Sequence, residues 1–445
     1  MHRIRLPLAL LMIASVSLVA VAAVAEECGA PEQAPLRFRP PVFVDQHRSG
    51  GEPVSIVADD GSIIMGAHLG TTLFNPKTVP EADWLTQYAN QTYVWRSTDD
   101  GATWSRIELA PGVAAHSAMS TGLSDPDFAK DAAGNLYGTE INLANVSVFA
   151  SHDNGQTWPD ANPLANSGDR PWLAGRGPNE VYLRITGSLR KSTDGGATWT
   201  ELTDPNAYGK IYVDPTDPQG LYAGSRGGVG VEVSRDDGLT WTSHRLEEAA
   251  NNSVMKSIGV DAEGWVYYGY LQGDAVKFAS FDPGATTWSD PVTIPRVGAE
   301  DATPFWAWTV AGDAGRAAIG WYEAEPIGDG SYKVRVYVAV TENARGSIVE
   351  CENGSTIPVA PQFSVADAAR RPVHVGGFPC SGTGCNATGD RRLGDFFTIN
   401  FDRLGRVFVA TGDTTRTNVR DTEYMVSRPL FIGAEDDSPR LLATP

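Results

Sequence analysis

Histidine, lysine, methionine and cysteine are scarce in this chain of 445 residues: seven, seven, six and four copies. With so few imidazoles, one of them at His2, a histidine-centred catalytic site has little material to draw on. No G-x-S-x-G, H-E-x-x-H or Walker pattern occurs, which leaves out nucleophile-elbow, zincin and P-loop chemistry. Helical periodicity is missing after the first 25 residues, as is any later apolar run long enough to span a bilayer. Positive charge is short as well. Formal net charge is −19, a balance that argues against nucleic acid and anionic membranes as partners and favours solubility and cation binding.

What is present begins with an export pattern. Met1 to Arg5 carries two arginines, Leu6 to Val24 is apolar, and Ala23-Val24-Ala25 offers small residues for cleavage. Residues 1–25 therefore read as a signal peptide, with the mature chain secreted to an extracellular or periplasmic space. Loss of Arg3 and Arg5 leaves 33 basic against 54 acidic residues, a net −21. In an oxidising compartment the four cysteines, Cys28, Cys351, Cys380 and Cys385, form two bridges with three possible pairings. The short glycine-rich Cys380–Cys385 loop favours a local bridge, with Cys28–Cys351 pinning the leader at 26–41.

The main organising feature is a repeat. S-x-D-x-G-x-T-W occurs at Ser97–Trp104, Ser151–Trp158, Ser192–Trp199 and Ser234–Trp241, and once more with an extra residue at Ser280–Trp288. Asp and Ser side chains accept from backbone N–H groups nearby, Gly supplies a positive φ, Thr opens the outgoing strand, and Trp wedges between layers. The motif thus reads as a stapled turn between strands. Its structural residues are Asp99 and Trp104, Asp153 and Trp158, Asp194 and Trp199, Asp236 and Trp241, and Asp282 and Trp288.

Upstream of each turn a short apolar strand leads through an Asp/Gly/Asn turn to a second strand rich in Tyr, Val and Ile. Seven such units can be traced, the turn motifs following at intervals of 54, 41, 42 and 46 residues. Units of 40–45 residues with several short strands predict an all-β protein, a β-propeller. Seven blades are favoured over six, over residues 42–430, with a tail at 431–445. Pro41–Val44 is a candidate to complete the last blade. Loop insertions lie on one face, the longest an insert or cap at 346–391.

In a propeller the heads of the inner strands meet at one mouth of a central channel. Alignment of the seven units places Glu52, Asp125, Arg170, Lys210, Lys256 and Asp395 there, with Thr303 in unit six. Such a ring either neutralises itself as a salt-bridged girdle or forms a polar ligand pocket. Those six charged residues and Arg392 are the candidate ligand contacts, and Trp172, Trp306 and Trp308 could offer stacking faces to a sugar. For glycosidic cleavage, which needs two carboxyl-class groups or a tyrosine substitute, the catalytic candidates are Asp125, Asp395, Glu323 and Tyr322. No metal ligand set emerges, and no cofactor is expected; calcium has no motif behind it.

Five S-x-D-x-G-x-T-W boxes on an exported repeat chain resemble the Asp-box, or bacterial neuraminidase repeat, β-propellers of the sialidase superfamily. The resemblance runs from about Val42 to Leu430. It implies structural turns away from the active site, in a superfamily that includes sialidases, xyloglucan-cleaving enzymes, sorting receptors and photosystem assembly factors. A sialidase would carry an Arg-Ile-Pro element on its first inner strand, where this chain has Gly51-Glu52-Pro53, and six blades rather than seven. A glutamate there repels a sialic acid carboxylate. The chain is therefore expected to bind a glycan or an extracellular protein, as a monomer, with an exo-α-sialidase or other glycoside hydrolase of altered site, or a non-enzymatic scaffold, as the alternatives.

Overall fold

The computed structural model describes residues 28, 33–46, 50–68, 92–107, 124–142, 145–166, 168–247, 255–351, 353–381, 390–415 and 427–443. The signal-peptide stretch, Cys385 and most of the loops at 70–90 and 111–124 lie outside them. Every regular element among the described residues is a strand, and none is a helix long and apolar enough to cross a membrane. The strands form seven small antiparallel sheets arranged as the blades of a propeller, with one separate hairpin.

Blade 1 runs Gly51–Val57, Ile63–His68, Tyr93–Ser97, Ser105–Ile107, and blade 2 runs Ser124–Lys130, Leu136–Asn142, Asn145–Ser151, Asp160–Asn166. Blade 3 holds Trp172–Gly175, Val181–Ile185, Ser188–Ser192 and Thr200–Leu202; blade 4 holds Ala207–Val213, Leu221–Ser225, Val229–Ser234 and Thr242–Glu247. Blade 5 starts at Gly259–Val260 and continues through Val266–Gln272 and Ala275–Asp282. Blade 6 is built on the long hairpin Ala317–Gly328 and Ser331–Thr341, with Thr303–Ala311 inside and Ser364–Asp367 outside. Part of the 346–391 stretch thus supplies a blade strand rather than a free loop. Blade 7 stacks Thr398–Phe401, Val407–Asp413 and Arg428–Gly433, and its outer strand is Val42–Phe43, paired Val42 to Phe431. The ring is closed by the N-terminal segment, as Pro41–Val44 suggested.

Burial explains the composition of each strand. Middle strands such as Val229–Ser234 are buried at every residue, because adjacent blades cover both of their faces. Outer strands such as Ser105–Ile107 and Thr200–Leu202 are largely exposed and polar. Unpaired edges of the inner strands are satisfied across blades: Thr398 Oγ1 donates to Pro53 O at 3.0 Å and Asn400 Nδ2 to Ser55 O at 3.1 Å.

The four full-length turn motifs share one geometry, each joining the third and fourth strands of its blade. In blade 3, Ser192 Oγ donates to Asp194 Oδ1 (2.7 Å) and accepts the Gly196 N–H (2.8 Å). Asp194 also accepts the Thr198 N–H (2.9 Å) and hydroxyl (2.6 Å), which bring its carboxyl down to about 2. The positive-φ glycine of each motif lies against the preceding blade. A Cβ on Gly101 would fall 2.1 Å from the Phe431 ring, one on Gly155 2.7 Å from Ile64, and one on Gly196 3.3 Å from Val148. Tryptophan ties the blades further: Trp241 Nε1 donates to Thr203 O at 2.9 Å. In the fifth copy the inserted residue breaks the pattern, and Asp282 accepts only the nearby Gly284 and Ala285 N–H groups.

Cys28 is bonded to Cys351, which fixes the leader to the turn of the hairpin Ser347–Glu350 and Thr356–Val359. Cys380 is disulfide-bonded as well. Beyond blade 7 the chain stays packed, with Leu441 fully buried and its N–H donated to Gly405 O.

Candidate functional site

Three inner strands begin with the same irregularity. Pairing skips a residue between Gly51 and Val54, Ser124 and Asp127, and Phe305 and Trp308. At these bulges Glu52, Asp125 and Trp306 have φ of 49°, 52° and 50°, and Arg170, just ahead of the blade 3 inner strand, has 59°. Left-handed backbone costs a side-chain-bearing residue about 1–3 kcal/mol and is normally left to glycine. Blades 4 and 7 use Gly209 and Gly394 near the equivalent position. The head of blade 4 is therefore Gly209, with Lys210 one residue further on, and the head of blade 6 is Trp306 rather than Thr303. A proline follows Glu52, Asp125 and Arg170 and would by itself drive the preceding residue to extended backbone. Three charged side chains are thus aimed at the mouth against local preference.

The charges meet in one network. Glu52 is fully buried; its Oε2 lies 3.2 Å from Nε2 of His68, and its Oε1 accepts the Asp395 N–H at 2.7 Å. Burial pushes the Glu52 carboxyl up, but His68, the Arg391 charge and a hydrogen bond shared with Asp125 outweigh it, bringing the group down to about 2. Gly394 makes the close approach possible, since a Cβ there would fall 2.3 Å from Glu52 Cγ. Asp395 is held from both sides. Arg170 Nη2 reaches its Oδ2 at 2.5 Å, and Arg391 Nη1 pairs with its Oδ1. Burial lowers the Arg391 guanidinium, partly offset by Glu52 and Asp125. Asp169, 72% exposed at its side chain, forms a looser pair with Arg170 at 3.9 Å.

Beneath this network the axis is filled by aromatic rings. Trp172 of blade 3 lies 6.0 Å from Trp308 of blade 6 and 5.3 Å from Phe396 ahead of blade 7, and Trp308 stacks on Phe396 at 5.9 Å. All three are buried, as is Trp306. They form a floor across the axis rather than stacking faces on a surface. Beyond it a cavity of about 320 Å³ is lined by all seven inner strands. Lys210 reaches across to Asp127 there, at 2.9 and 2.7 Å, and to Phe128 O at 2.9 Å. Burial raises the Asp127 carboxyl against the pull of Lys210 and the Leu173 N–H.

The structure therefore brings together Glu52, Asp125, Arg170 and Asp395, and adds His68 and Arg391. Lys210 serves the channel wall. Lys256 is buried at the head of blade 5, its amine brought down to about 8 by desolvation. Other candidates lie elsewhere. Glu323 is buried under Arg296, at 2.8 and 3.0 Å, and accepts from Trp321 Nε1. Tyr322 is buried between blades 6 and 7 with its hydroxyl 2.5 Å from Thr411 Oγ1, and burial pushes its ionisation up. Arg392 is locked on Asp390 and Val375 O. Its neighbour Arg391 takes the place at the mouth, a choice between adjacent loop residues for which the sequence carries no periodic signal. Among the described residues no group of three or more His, Cys, Asp or Glu is placed to hold a metal.

No family model matches the chain. An alignment 217 positions long, covering 44% of this chain, is 28% identical to a xyloglucanase of Paenibacillus sp. and spans only 18% of that enzyme's length. Among solved structures, the GH74 enzyme of Niastella koreensis is 16% identical with a TM-score of 0.48, over 87% of this chain and 55% of that one. The NanB sialidase of Streptococcus pneumoniae is 11% identical with a TM-score of 0.40, over 94% of this chain and 73% of its own. Likenesses of this size concern the fold alone. The chain is a seven-bladed β-propeller that resembles glycoside hydrolases at low identity.

Proposed function

We propose that the charged end of the channel is a carbohydrate-binding site on an exported Asp-box propeller. The reading rests on one observation: Glu52, Asp125, Arg170 and Trp306 occupy left-handed positions at the inner-strand heads of four blades. Strain of this kind collects at ligand sites and is kept where the side chain matters. The bonded Cys28–Cys351 pair supports an oxidising compartment, and the network inside each full turn motif supports the Asp-box assignment.

A glycoside hydrolase is the second reading, favoured by the stretch shared with a xyloglucanase. Half-buried Asp125 and exposed Asp169 are its candidate acid and base; Glu323 and Tyr322 are too deeply engaged to serve. The test is a glycan array on the mature protein, run beside a panel of aryl glycosides and xyloglucan oligosaccharides. Binding without turnover supports the first reading, and turnover abolished by Asp125→Asn supports the second. Absence of both, with Arg170→Ala indistinguishable from the parent, rejects the site.

A further inference from the structure

Two guanidiniums converge on one buried carboxylate at the mouth, and that carboxylate belongs to the chain. Arg170 takes Oδ2 of Asp395 and Arg391 takes Oδ1, so the group is gripped as a ligand carboxylate would be. Its backbone N–H is held by Glu52, which fixes the main chain that presents it to the two arginines. We infer that Asp395 is the built-in occupant of a two-arginine anion cradle, which closes the mouth to acidic sugars and leaves it to uncharged, hydroxyl-rich saccharides. This rests on the reading of the mouth as a carbohydrate site.

The charge balance agrees with the geometry. Around the cradle stand the carboxyl groups of Glu52, Asp125, Asp169 and Asp395 against the guanidiniums of Arg170 and Arg391, so acidic side chains outnumber the two arginines. Both cradle arginines are already committed to a carboxylate of the chain. To bind, an incoming carboxylate must displace Asp395 from two charge-assisted pairs and leave that group buried without them, which is strongly unfavourable. A sugar hydroxyl meets no such barrier. It can donate to the exposed oxygens of Asp169 and to Asp125 at the rim.

Two measurements test this. In the first, Asp395→Ala is unfolded by heat with rising formate, ionic strength held constant with chloride; formate has the size and charge of the group removed. The inference expects a saturating rise in the melting temperature of Asp395→Ala. No such rise is expected in the parent, or in Asp395→Asn, where the amide still fills the space. An equal response to formate and chloride overturns the cradle. If Asp395→Ala does not fold from denaturant, its refolded yield with and without formate decides the same question. In the second, matched neutral, sialylated and uronate-bearing oligosaccharides are titrated against the parent. Neutral ligands should bind at least about tenfold more tightly, and Asp395→Ala, which vacates the cradle, should reduce that preference. Tighter binding of the acidic ligands by the parent overturns the inference and leaves the carbohydrate reading standing. Binding of no glycan overturns the carbohydrate reading, while the formate response still decides the cradle.

Discussion

The two ends of the blades, inner-strand heads at one and the turns between third and fourth strands at the other, are built from the same residue types and use them in opposite ways. At the turn end, Asp99, Asp153, Asp194 and Asp236 each hold a threonine four residues away. At the head end, Asp395 pairs with Arg170, 225 positions away, and its N–H goes to Glu52, 343 positions away. The full turn motif recurs in four blades with one geometry, whereas the heads vary around the ring and close on one another. Repetition marks the scaffold. Asymmetry, kept in spite of a strained backbone, marks the site.

That contrast can be broken most forcefully at Asp395. Asp395→Ala leaves two largely covered guanidiniums without their carboxylate and should cost about 3–5 kcal/mol in urea unfolding. A loss no larger than that of a turn aspartate would erase the distinction between the ends. The next largest effect belongs to a glycine. Gly101→Ala places a methyl group against the Phe431 ring at positive φ and should cost about 3 kcal/mol. Gly284→Ala in the irregular fifth copy meets only Asp282 Oδ1 at 3.3 Å, and its melting temperature should barely move. Third comes the turn network itself. Asp194→Ala should cost about 1 kcal/mol and Asp282→Ala less, since Asp282 lacks the threonine and serine bonds.

The smallest effect sharpens the comparison through pH. The Lys256 amine sits near 8 when folded against its ordinary 10.5, so between these values the unfolded chain binds more protons. Stability from this group therefore rises with pH across that window. Lys256→Met should be slightly more stable than the parent at neutral pH, and that advantage should vanish as pH climbs to 10.5. Thermal melts at several pH values check it.

Much of the turn end was legible in the sequence because its interactions are local. Ser192, Asp194, Gly196, Thr198 and Trp199 announce their own hydrogen bonds, and the spacing of such motifs gives the length of a blade, with the strand pairs upstream giving the count of seven. Even the closing strand at Val42–Phe43 could be foreseen from its isolation ahead of blade 1. The head end was legible only in part. Glu52, Asp125, Arg170 and Asp395 could be placed at one mouth by aligning the units. Their partners could not, because His68, Arg391 and the shared bulge depend on how distant blades twist and meet. Glu323 illustrates the limit: an acidic residue on a strand looks available until Arg296, 27 residues earlier, folds over it.

The claim that the strand heads form the site, and the turn end its support, is tested most directly by backbone amide exchange. The protein would be compared with and without the tightest-binding neutral oligosaccharide from the array. New protection should gather at Gly51–Val54, Asp125–Asp127, Asp169–Trp172 and Arg391–Phe396. Protection confined to the S-x-D-x-G-x-T-W turns, or to the strand ends beyond the aromatic floor, would contradict it.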